Sequence, residues 1–155
     1  MATHDELLAP MGVIGEAFAS GKTQAERDAA WEAALTEDVV WEAPFTDPPI
    51  VVSGRRAVGK FFDWLIENVP NFQTALDNVY YLEDGGSYVV QVTGGGPTKD
   101  GDVYDQRYFS LIQVRDGKIS YFREHFKVAE TYRAFGRDNF HDSIDRIQSG
   151  ILSDA

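Results

Sequence analysis

The sequence predicts a single α+β domain, with helices packed on one face of a strongly curved antiparallel sheet. Helical periodicity dominates up to Pro70, and hairpin-punctuated β runs follow from Phe72 to Val128. The 155 residues, 43% hydrophobic and 13% aromatic, suffice for one core and leave no room for a second domain.

Thr3 and Glu6 have capping-box spacing, and Leu7, Leu8, Met11, Ile14 and Phe18 recur at helical intervals up to Gly21. Thr23 and Glu26 repeat the signal ahead of Ala30, Trp31, Ala34 and Leu35, so a second helix should end before Asp38. A short strand over Val39–Glu42 follows. Residues 43–49, with Pro44, Pro48 and Pro49, read as an irregular loop leading into the extended run Ile50, Val51, Val52. Val58, Phe61, Phe62, Leu65 and Ile66 then mark a third helix from Arg56 to Asn68, stopped by Pro70.

Residues 72–82, 87–93, 103–114 and 119–128 are rich in β-branched and aromatic residues. Asp84-Gly85-Gly86, Gly94-Gly95-Gly96-Pro97 and Asp116-Gly117 separate them, which predicts three consecutive hairpins with the glycine run as a flexible connection. A last helix over Ala129–Phe135 should end at Gly136. The domain is thus expected over residues 1–136, with 137–155 a tail or short helix of the same domain.

Fourteen Lys and Arg against twenty-five Asp and Glu give a net charge of −11, which repels phosphate backbones and anionic lipid surfaces. Neither nucleic acid nor a membrane is an expected partner. There is no cysteine, hence no disulfide or thiolate nucleophile, and no apolar run approaches a spanning length. Asp5 and Glu6 stand where a secretory leader wants bases, so a cytoplasmic protein is expected.

Gly54-Arg55-Arg56-Ala57-Val58-Gly59-Lys60 matches part of a phosphate-binding loop, but Phe61 stands where magnesium needs a hydroxyl. His4, His125 and His141 lie in different elements without helical zinc spacing, and His141 with Asp142 and Asp145 reads as a solvated helix face. No metal and no cofactor are expected.

The informative residues are charges inside apolar strands. Alternation places Ser120, Phe122, Glu124 and Phe126 on one face and Tyr121, Arg123 and His125 on the other. Glu124 between two phenylalanines is either half of an ion pair or a dehydrated carboxyl with a raised pKa, suited to acid/base work. Asp105 and Arg107 share a face of the preceding strand, as a cross-strand salt bridge or as partners of Glu124 and of an oxyanion. Parity alone leaves open which face they use. Trp41, Phe45, Phe61, Trp64, Phe122 and Phe126 are the candidate walls of an apolar pocket. Tyr121 and His125 on the opposite face point to a homodimer formed through it.

Three segments carry a family likeness: Val39-Val40-Trp41-Glu42-Ala43-Pro44-Phe45, Pro49 to Arg56, and Asp116-Gly117-Lys118-Ile119 followed by Arg123-Glu124-His125-Phe126. Together they resemble the SnoaL-like members of the nuclear-transport-factor-2-like superfamily, over roughly residues 5–136 and with spacing nearest the phenazine-biosynthesis A/B proteins. The resemblance implies a cone-shaped fold, a cavity between the concave sheet and the first helices, frequent dimers, and a hydrophobic small-molecule substrate or ligand. It implies an isomerase, cyclase or dehydratase acting on a polyketide-, terpene- or steroid-like compound, with a limonene-type epoxide hydrolase or a binding-only protein as alternatives. Glu124 falls where the family carries an acid after Arg. Phe61 replaces the phenazine proteins' catalytic His, and Ala43 replaces the ketosteroid isomerases' general base. For the hydrolase alternative, Arg107, Asp105 and Glu124 would be the Arg and two acids.

Overall fold

The computed structural model describes residues 1–150. Helix α1 (His4–Ala17) and helix α2 (Gln24–Ala34) both open on closed capping boxes, Thr3 with Glu6 and Thr23 with Glu26. Strand β1 (Leu35–Ala43) starts four residues earlier than the alternation at Val39 suggests, because Leu35 caps α2 in extended conformation and pairs directly with Ile119. Strand β2 (Ile50–Ser53) and helix α3 (Arg55–Asn68) follow. Next come β3 (Gln73–Tyr81), β4 (Ser87–Pro97), β5 (Val103–Arg115) and β6 (Lys118–Phe126), then α4 (Val128–Phe135) and α5 (Arg137–Ser149).

The six strands form one sheet in the order β2-β1-β6-β5-β4-β3. β3 to β6 make the expected meander, β1 joins it parallel to β6, and β2 lies antiparallel on β1. In β3 the register slips between Leu76 and Asn78, so Asp77 is an extra residue with no partner on β4. The tail after Gly136 is a helix whose Phe140, Ile144 and Ile147 are buried in the core. Residues 151–155, the end of the predicted tail, lie outside the described residues. Among the described residues no helix is long and apolar enough to cross a membrane.

Two glycine readings change. Gly94, Gly95 and Gly96 are not a hairpin connection but belong to β4, paired with Gln106, Asp105 and Tyr104. A Cβ at Gly94 would lie 2.7 Å from the Phe72 ring and 3.1 Å from the Tyr108 ring, so close packing rather than a turn requires the glycine. Gly59 is likewise buried within α3, where a Cβ would approach Trp31 to 2.8 Å. Its role in the Gly-Lys motif is to let α2 and α3 touch. Asp63 of α3 completes that contact: it accepts from Trp31 Nε1 at 3.2 Å, Arg27 Nε at 3.1 Å and Gln24 Nε2 at 2.9 Å.

Candidate active site

The cross-strand register fixes what the concave face presents. Tyr108 lies opposite Phe126, Ser110 opposite Glu124 and Ile112 opposite Phe122, so these six residues of β5 and β6 share one face. That face and the helices enclose a cavity of about 160 Å³. The sheet side supplies Val90, Val92, Ser110, Ile112, Phe122 and Glu124, and α3 supplies Phe61, Phe62, Trp64 and Leu65. Phe135 of α4 and Phe140 of α5 close one end, packed edge-on or tilted against Trp64 at centroid distances of 5.2 and 5.7 Å. Met11 and Gly15 of α1 with Thr74 and Leu76 of β3 form the rim; Gly15, Thr74 and Leu76 are exposed, which marks the mouth.

Among the described residues Glu124 is the one carboxylate on this surface. Protein surrounds it, and the part of its surface that stays accessible opens onto the cavity. Burial away from bulk water pushes its pKa up to about 7, and the nearby Trp41 indole pulls it partly back. Trp41 is 1% exposed, yet its Nε1–H closes no hydrogen bond, so indole and carboxyl are neighbours without a formed bond. A buried N–H without an acceptor costs on the order of 1–3 kcal/mol.

Two phenols complete the polar pole. Tyr104 shares a 2.9 Å hydrogen bond with Thr131 Oγ1 and accepts from Gln106 Nε2 at 3.0 Å, and Gln106 is itself anchored on the Lys127 backbone. Tyr108 is directed at Tyr104, and burial raises its pKa well above the ordinary value, with Tyr104 and Glu124 adding to the rise. Both phenols therefore remain protonated donors at neutral pH.

The structure brings Glu124, Trp41, Phe61, Trp64, Phe122 and Phe126 together around the cavity. It does not bring Asp105 and Arg107 there. Their odd numbering in β5 sends them to the outer face, where they pair with each other at 2.9 Å with side chains 62% and 58% exposed. They cannot serve as partners of Glu124 across the sheet. Phe45 is also misplaced by the sequence reading: it is 69% exposed and packs edge-on against His125 on the outer face. The alternative that Glu124 is half of an ion pair with an Arg of the neighbouring strand fails as well, since Arg107 lies on the outer face and pairs with Asp105, and among the described residues no cation bridges Glu124. Tyr104, Tyr108 and Ser110 were missed; once Glu124 is paired with Ser110, parity along β5 would have found them.

Comparison with known proteins agrees with this architecture. A family model described as a SnoaL-like domain matches residues 16–122, more than half of the chain. The phenazine biosynthesis protein PhzB of Pseudomonas fluorescens is 25% identical over 95 residues, which span 59% of this chain and 59% of that protein. Among solved structures, a Bacillus subtilis protein named as a candidate isomerase superposes with a TM-score of 0.72 at 20% identity, covering 88% of this chain and 97% of its own. An LEH-like epoxide hydrolase of M. tuberculosis gives a TM-score of 0.60 at 18% identity, covering 97% of each chain.

Proposed function

Because the chain belongs to the SnoaL-like domain family, we propose that it is a cofactor-independent proton-transfer enzyme, of isomerase, cyclase or dehydratase type, with Glu124 as general acid and base. The observation that carries this reading is a single carboxyl held near pKa 7 in an otherwise uncharged, largely apolar cavity. At that value both protonation states are populated at physiological pH, so one residue can take a proton in one step and return it in the next. Tyr108 and Tyr104 offer O–H donors to the oxygen on which charge develops.

Hydrolysis of an epoxide is supported less well, because the Arg and second acid assigned to it, Arg107 and Asp105, face away from the cavity. Retention of a ligand without chemistry is the competing outcome of the test. Incubation with a panel of cyclic ketones, enones and lactones in deuterium oxide reads proton abstraction as mass gain even when no new product accumulates. We expect catalysed incorporation at carbons beside the carbonyl, falling by roughly 10²–10⁴-fold in Glu124→Gln, the usual range for a lost general base. No incorporation with any compound, or equal rates in the variant, would reject the assignment.

A further inference from the structure

Helix α1 lies along the open side of the cavity as a clasp fastened at both ends. Near its start the His4 ring stacks on Tyr81, the last residue of β3, at a centroid distance of 3.5 Å and an interplanar angle of 4°. Just past its end Phe18 packs at 5.4 Å on Phe72, the residue before β3, and also touches Phe62 and Trp31 at 5.8 and 6.1 Å. Between these fastenings α1 and β3 form the two lips of the mouth, Met11 and Gly15 on one side, Thr74 and Leu76 on the other.

The stretch of helix over the mouth is built weakly. Pro10 has no N–H for the Glu6 carbonyl, so one helical bond is missing, and its ring crowds the preceding turn. Gly12 and Gly15 follow directly. Neither takes a positive φ, and a Cβ on either would meet nothing within 4 Å. Close packing explains Gly59 and Gly94 but not these two. Their effect is on the helix itself, because glycine leaves the unwound chain more conformational freedom than alanine does. What keeps the turn closed at rest is the burial of Ile14, 5% exposed, and the partial burial of Met11.

We propose that the Pro10–Gly15 turn of α1 is the gate of the cavity: it opens locally, lifting Met11 away from Thr74 and Leu76, and so admits and releases a small apolar ligand while His4 and Phe18 stay in place. The gate rests on the cavity being a ligand site, not on the chemistry at Glu124. Fixed ends and a weak middle confine the opening to this stretch, which costs less than undocking the whole helix.

Iodobenzene is a neutral one-ring probe, and a cavity of about 160 Å³ compares with the roughly 150 Å³ of an engineered apolar cavity that takes benzene. Its heavy atom should quench Trp41 and Trp64, which line the walls, so stopped-flow fluorescence reads both binding rates. In Gly12→Ala the new Cβ touches nothing in the closed state, and the open population should fall about five-fold, or about 1 kcal/mol at 25 °C. Association and dissociation should both slow by that factor with Kd unchanged, because the closed form is favoured equally with and without ligand. Ala9→Gly, exposed and off the cavity wall, should speed both rates about five-fold. Hydrogen exchange at the Met11–Gly15 amides should follow the same factors. Exchange that slows in Gly12→Ala while both binding rates stay at the wild-type values would overturn the gate and leave the ligand cavity standing. A changed Kd with unchanged association would overturn it too. Failure of the wild type to bind iodobenzene would overturn the gate together with the ligand site. Rejection of Glu124 as the base in the deuterium experiment would leave these rates to decide the gate on their own.

Discussion

Replacing Glu124 with Gln does more than remove a proton carrier, because the carboxyl's displacement from its ordinary value of 4.5 to about 7 is itself a statement about stability. Between those values the folded chain binds more protons than the unfolded one. The contribution of Glu124 is therefore most favourable below pH 4.5 and is lost as pH rises through 7. Glu124→Gln should be more stable than wild type at pH 8, by on the order of 2–3 kcal/mol, with the gap closing as pH falls toward 4.5 in urea titrations. A variant less stable at every pH would place Glu124 in a structural role. At this scale the sequence was legible where alternation alone decides, as for Glu124 between Phe122 and Phe126. It was not legible for Asp105 and Arg107, because alternation tells which residues share a face but not which face turns inward; that depends on the partner register of β5 with β6.

At the scale of elements, the helices were written plainly: both capping boxes close as their spacing indicates, and the apolar stripe of α3 faces the core. The glycine run was misread because a strand glycine demanded by two aromatic rings looks, in one dimension, like a turn glycine. The parallel pairing of β1 with β6 was also hidden, since it joins segments far apart in the chain and leaves no local signal. The join between α2 and α3 rests on Asp63, only 4% exposed and bound by an arginine, an indole and an amide. Removing its carboxylate strands Arg27, whose side chain is 15% exposed. Asp63→Ala should cost about 3–5 kcal/mol in equilibrium denaturation, the usual penalty for breaking a buried pair. A loss below about 1 kcal/mol would class the contact with surface pairs.

For the molecule as a whole, the outer sheet face is the feature that asks for a partner. Val51 at 48%, Phe109 at 49% and Tyr80 at 52% exposure share it with Phe45, and among the described residues no helix covers them. We expect two copies to pack face to face there, with light scattering giving twice the chain mass of 17.3 kDa. A monomer at micromolar concentration would contradict this. The same sheet is guarded against growth in its own plane. One outermost strand, β2, has only four residues and follows Pro48 and Pro49; the other, β3, is broken by the unpaired, charged Asp77. A straight nine-residue β3 would offer a continuous row of backbone donors and acceptors to the next copy, and chains could add side by side without limit. Deleting Asp77 should restore that row, so the shortened protein should form thioflavin-positive aggregates during incubation that leaves the intact chain clear.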